Sequence, residues 1–159
     1  MAAVLIILVM DRPLTNVYWL NIADRSIPFI GVIEHTNLVG PEIYGNKRIV
    51  YLSNYLAEDD PLYNMSSKEL FNTYIPHLEK INPDFSHEWV KEYHHFKIPN
   101  AQPVVDTNYS KNIPEHETGI QNLYLANTSQ VYPQDRGTNY SVAMGRKMAA
   151  LALQKLKIK

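Results

Sequence analysis

The sequence predicts an α+β fold: an antiparallel or mixed sheet with one packed helix, followed by a C-terminal strand-loop-helix. Three observations lead there. The first half carries strand-like runs separated by short connections marked with proline, glycine and aspartate. The middle holds one stretch whose apolar residues recur at helical spacing. The last third passes from an apolar run through a polar loop into a long helical pattern. With 159 residues, 45% of them hydrophobic and 19% charged, the chain is long enough for one domain with a real core.

Ala2 to Met10 is a continuous apolar run. It is too short to cross a bilayer, which takes about 20 residues. It has no cationic flank before it, and Asp11-Arg12-Pro13 stands where a signal peptide would carry a small-residue cleavage site. A strand buried on both faces fits the run, and a chain that opens on such a strand suggests a preceding segment. Val17 to Ile22 is a second strand, rich in aromatic and β-branched residues; Phe29 to Leu38 is a third and Arg48 to Tyr55 a fourth. The short connections favour antiparallel neighbours.

Ser66 or Ser67 can cap the helix that follows, with Glu69 in its first turn. Leu70, Phe71, Tyr74, Leu78 and Ile81 recur at helical spacing up to Asn82-Pro83-Asp84, although Pro76 falls inside the pattern and predicts a kink or a division. Trp89 to Ile98 alternates as a fifth strand, and Ala101 to His116 connects onward with little periodicity. Gln121 to Asn127 reads as a buried strand, Thr128 to Arg136 as a polar loop, and Gly137 to about Lys155 as a helix. In that helix Val142, Met148, Ala149, Leu151, Ala152 and Leu156 form a candidate apolar face.

The net charge of −1 gives no electrostatic ground for nucleic-acid or anionic-membrane partners. The basic residues Arg146, Lys147, Lys155, Lys157 and Lys159 cluster at a helix end, where they complement the macrodipole. The absence of cysteine excludes disulfides, thiolate metal sites and cysteine nucleophiles, and suits a cytoplasmic location. His94 and His95 face opposite sides of a strand, and His35, His77, His87 and His116 have no ligand-like spacing, so no metal site is expected. Neither a dinucleotide fingerprint, a phosphate-binding glycine loop nor a nucleophile elbow is present, and no catalytic residue declares itself.

Two places carry candidate binding residues. Within the third strand, Glu34-His35-Thr36-Asn37 places His35 and Asn37 on one face and Glu34 and Thr36 on the other. Such a face is either the wet side of an antiparallel sheet or a cavity wall with His35 and Asn37 as substrate contacts. The second place is the loop before the terminal helix. A strand end and a helix N-terminus present unpaired N–H groups there; the tyrosines either line a pocket for a planar ring or pack ordinarily, and Tyr132 is the one expected to contact a substrate.

Leu123 to Thr128, Tyr132 to Asn139 and Ser141 to Ala149 together resemble the C-terminal cofactor segment of the flavin-containing amine oxidoreductases, the family of amine oxidases and protoporphyrinogen oxidases. Tyr18-Trp19-Leu20-Asn21-Ile22, Ile33 to Asn37 and Ala101-Gln102-Pro103-Val104 look like a bacterial-type branch of it. The resemblance implies that residues 1–100 correspond to the substrate domain of an FAD oxidoreductase. Residues 101–159 would then be the return segment, the cofactor-contacting strand and the last helix.

It further implies FAD as cofactor, contacted by Asn127, Thr128, Ser129, Arg136, Gly137, Thr138 and Asn139 along the ribityl chain and pyrimidine edge. The implied partners are a small-molecule substrate, a missing N-terminal dinucleotide-binding domain, and a second copy in a homo-oligomer. Family members carry an Ala-Gly pair and an acidic residue after the last strand. Here Ala126, Asn127, Thr128 and Ser129 stand in that place, so no carboxylate role carries over. Alone, the chain is expected to be inactive and to retain no flavin. Two alternatives accompany this reading: a flavin-dependent isomerase similar to the UDP-galactopyranose mutases, and a non-catalytic binding domain derived from the same fold.

Overall fold

A computed structural model describes residues 1–156. Lys157 and Lys159 of the basic cluster lie outside the described residues. The chain divides into two units, the first Met1–Gln102 and the second beginning at Pro103.

The first unit contains β1 (Ala2–Met10), β2 (Trp19–Asn21), β3 (Gly31–Glu34), β4 (Arg48–Leu56), α1 (Pro61–Asn64), α2 (Ser67–Tyr74) and β5 (Val90–Ile98). The strands form one sheet in the order β2-β3-β4-β1-β5, antiparallel at every pairing. Val4, Ile6, Leu8 and Met10 alternate along β1 and are solvent-inaccessible. Val32, Val50 and Leu52 join them on the same face, and Leu70, Phe71, Tyr74, Ile75 and Leu78 belong to the same core. Each such side chain contributes roughly 1.5–3 kcal/mol by leaving water. Only this face of β1 is fully closed. Leu5, Ile7 and Val9 on the other face are half-buried, so the strand is not buried equally on both sides.

α2 begins in a reciprocal cap. The Glu69 N–H donates to Ser66 Oγ, and the Ser66 N–H donates to Glu69 Oε2 at 2.8 Å. The helical pattern does divide: after Tyr74 the chain tightens into a 3-10 stretch, Ile75–Lys80, with Pro76 in its first turn, where a missing N–H costs least.

Two strands are shorter than the sequence predicts. The second spans only Trp19–Asn21. The third stops at Glu34, and His35–Asn37 is a 3-10 turn. His35 and Asn37 therefore do not share a strand face. The turn is fixed by tertiary bonds: the Asn37 amide donates to the carbonyls of Thr15 and Val17, and Thr36 Oγ1 accepts from the Ile49 N–H.

In the second unit the predicted strand Gln121–Asn127 is replaced by a single bridge between Glu117 and Tyr124. Gly119 and Asn122 both adopt left-handed backbone, which closes a tight turn before a ladder can form. Leu123 is consequently 48% exposed. A capped 3-10 turn (Thr128–Gln130) precedes α3 (Thr138–Leu156). The inward seam of α3 runs through Met144, Met148, Leu151 and Ala152, while Val142, Ala149 and Leu156 of the predicted face are exposed. Lys155, in its last turn, pairs with Glu117 at 3.3 Å. Among the described residues no helix is long and apolar enough to cross a membrane.

Candidate functional site

In the second unit, the residues expected to meet a cofactor form two groups. Asn127, Thr128 and Ser129 sit in one capped turn. Asn127 Oδ1 accepts from the Ser129 N–H at 2.9 Å and from its hydroxyl, and the Asn127 N–H donates to Gln130 Oε1. These polar atoms thus satisfy each other. Arg136 to Asn139 form the entry to α3. The Gly137 carbonyl accepts from the N–H groups of Tyr140 and Ser141, which makes Gly137 the residue that opens the helix. Among the described residues the N–H groups of Thr138 and Asn139 donate to no protein acceptor. Arg136 Nε is buried without a hydrogen-bond partner. A Cβ added at Gly137 would lie 2.5 Å from Asn139 Oδ1, the end of an exposed side chain that would have to swing aside.

Tyr132 stands between the two groups and packs on Tyr109 with ring centroids 5.6 Å apart. The Tyr109 hydroxyl donates to the Ser129 carbonyl at 2.8 Å, tying the ring pair to the capped turn. Tyr132 also lines a cavity of about 230 Å³ with Tyr140, Ala143, Met144, Lys147, His116 and Gln130. Sequence reasoning missed this cavity. Its one legible signal was that Tyr140, Ala143, Met144 and Lys147 fall at helical spacing.

His35 and Asn37 belong to the first unit and point to different partners. His35 Nε2 lies 2.9 Å from the Tyr44 hydroxyl, and its ring meets Tyr44 and Tyr51 edge-on. Asn37 uses its amide on the 15–17 backbone and is a structural tie. Glu34, which the sequence offered only as a strand residue, is completely buried. Its Oε2 accepts from the Thr15 N–H at 2.6 Å, while Oε1 has no partner. Burial is the largest influence on this carboxyl and raises its pKa against the opposing pull of the Thr15 bond.

The half-open face of the sheet is the other feature that single residues did not announce. The register puts Leu5 beside Ser53 and Phe96, Ile7 beside Tyr51 and His94, and Ala3 beside Tyr55 and Ile98. Trp19 and Ile33 continue this face across β2 and β3. Trp19 is 56% exposed, Phe96 49% and Tyr55 42%, which makes an aromatic surface able to receive an apolar group. His35, edge-on to Tyr51, stands beside that surface. Among the described residues, no three metal-ligating side chains converge.

No family model and no curated protein matches this chain. Two solved structures resemble it. One is a provisionally assigned protoporphyrinogen oxidase from Exiguobacterium sp. 255-15, with a TM-score of 0.69 and 13% identity over 96% of this chain and 35% of that one. The other is an oxidoreductase from Methanosarcina mazei, with a TM-score of 0.62 and 20% identity over 94% of this chain and 33% of that one. The likeness is one of fold. The chain spans about a third of the length of each of these structures, and nearly all of it is accounted for by them.

Proposed function

We propose that this chain is the substrate-side portion and last cofactor-contacting segment of an FAD-dependent oxidoreductase of the amine oxidase type. The observation that carries the reading is the near-complete coverage of this chain by a third of two oxidoreductase folds. In this reading the whole protein acts on a small-molecule substrate. The aromatic sheet face, with Trp19, Tyr55 and Phe96, forms one wall for its apolar part, with His35 and Tyr51 beside it.

FAD would supply hydride acceptance, which accounts for a chain without an evident acid–base pair. The helix entry fits this group better than the preceding turn does. The N–H groups of Thr138 and Asn139 and the buried Arg136 Nε have polar capacity to give to a flavin edge that gains negative charge on reduction. Asn127 and Ser129 have much of theirs committed to the cap, so Asn127 would contribute chiefly through its Nδ2 and Thr128 through its hydroxyl.

The test is a bulky residue at the helix entry of the longer protein. Gly137→Trp should weaken FAD retention, because close backbone approach needs the missing side chain. The same change in an Asn139→Ala background removes the collision with Asn139 and isolates the effect on the cofactor. Unchanged FAD affinity and redox potential in both variants would remove this loop from the flavin site.

A further inference from the structure

The cavity beside α3 has a chemistry of its own. Lys147 Nζ lies 3.1 Å from His116 Nε2. An ammonium can only donate, so Nε2 is the acceptor, and Nδ1–H is then set to donate to the Leu125 carbonyl at 3.0 Å; the Gln130 amide nitrogen, also 3.0 Å from Nδ1, donates to the Pro114 carbonyl. The imidazole holds the lysine in place and uses one of its three N–H groups. Among the described residues Lys147 makes no ion pair, and no aspartate or glutamate lines the cavity. Around this charge stand the Tyr132 and Tyr140 rings, with Ala143 and Met144 from the helix.

We propose that this cavity binds a small planar carboxylate, its ring against Tyr132 and Tyr140 and its carboxylate on Lys147. A single ammonium matches one negative charge rather than the two of a phosphate monoester. The two remaining N–H groups can meet carboxylate oxygens, and the bond is charge-assisted. Tyrosine faces favour a flat apolar body over an aliphatic chain. The volume of about 230 Å³ is below that of pockets for drug-sized ligands, which points to a single-ring molecule. None of the residues assigned to flavin lines the cavity, so the site stands whether or not the chain belongs to a flavoprotein.

Isothermal titration of the full chain with benzoate tests this, with benzamide and inorganic phosphate as comparison probes. Benzoate should bind saturably. Benzamide, equal in shape but uncharged, should bind about tenfold more weakly or worse, as expected for loss of one charge-assisted hydrogen bond. Lys147→Met should weaken benzoate by a similar factor, Lys147→Arg should retain most of the affinity, and Tyr132→Ala should weaken benzoate but not affect its preference over benzamide. Circular dichroism of each variant controls for folding. Ala143→Phe, which fills the cavity from an exposed helix position, should abolish binding and decides the matter if Lys147→Met does not fold. The proposal is overturned if benzoate shows no saturable binding, if Lys147→Met binds it as well as the native chain, or if phosphate binds as tightly as benzoate.

Discussion

Glu34 reaches back across the chain to Thr15: its Oε2 accepts the Thr15 N–H at 2.6 Å, while its other oxygen is buried with no partner. The Glu34 N–H meanwhile donates to the Tyr18 carbonyl at 2.9 Å. One buried acid thus fixes the loop between β1 and β2 against the end of β3. It does so at a cost, because a carboxylate without its full set of donors is held out of water.

That cost is readable as a pH dependence. Burial raises the Glu34 pKa above its unfolded value near 4.5. A raised carboxyl pKa contributes stability that is fully present below the unfolded value and is lost as pH rises through the folded one. Glu34→Gln keeps an acceptor for Thr15 and does not titrate. The melting temperature of the variant should therefore gain on that of the native protein as pH rises from about 4 to 7. The exposed Asp11 and Asp24, whose pKa values are lowered by Lys91 and by Ser26 respectively, titrate alike in both proteins and cancel. A difference that is flat, or that falls with pH, would contradict the assignment.

Removing the carboxyl altogether is a different experiment. Glu34→Ala leaves the partly buried Thr15 N–H without its acceptor, at about 1–3 kcal/mol. Urea unfolding followed by circular dichroism should show that loss at neutral pH. It should be accompanied by faster amide exchange at Thr15, which no longer has an acceptor.

The cap of α2 should behave as a coupled pair. Ser66→Ala costs about 1 kcal/mol, and so does the loss of the reciprocal bond in Glu69→Ala. Because each residue satisfies the other's backbone N–H, the double variant should lose less than the sum of the two. Strict additivity in urea melts would mean that the two bonds act independently.

Core and surface positions should separate sharply. Leu8→Ala removes a solvent-inaccessible side chain from the core under the sheet and should cost about 2–5 kcal/mol. Ile43→Ala, at a site 70% exposed, should stay within about 0.5 kcal/mol. Chemical denaturation of both variants checks the placement of the core.

What the sequence made legible was set by local pattern. The apolar run Ala2 to Met10, the helical spacing from Leu70 to Ile81 and the Ser66–Glu69 cap are short-range signals; the strand and the cap formed where their signals lay, while the α-helix stops at Tyr74, just before Pro76, and continues as a 3-10 stretch. The third strand, expected from Phe29 to Leu38, ends early at Glu34. Its true end is set by bonds from Glu34 and Asn37 to residues about 20 positions away, which no local pattern records. The strand at Gln121 to Asn127 failed for a similar reason: Leu123, Tyr124 and Leu125 look strand-like, but the left-handed turns at Gly119 and Asn122 leave them one bridge and no sheet. The polar helix entry at Gly137 was visible; the pairing of His116 with Lys147, 31 positions apart, was not.

The most direct measurement of the central claim is flavin content. The longer protein to which this chain is proposed to belong should elute from gel filtration yellow, with about one FAD per chain released on denaturation. The 159-residue chain by itself should purify colourless and take up FAD weakly or not at all, because it carries no glycine-rich dinucleotide fingerprint to hold the pyrophosphate. A longer protein that carries no flavin and cannot be reconstituted with it would contradict the account, and so would this chain alone retaining stoichiometric FAD.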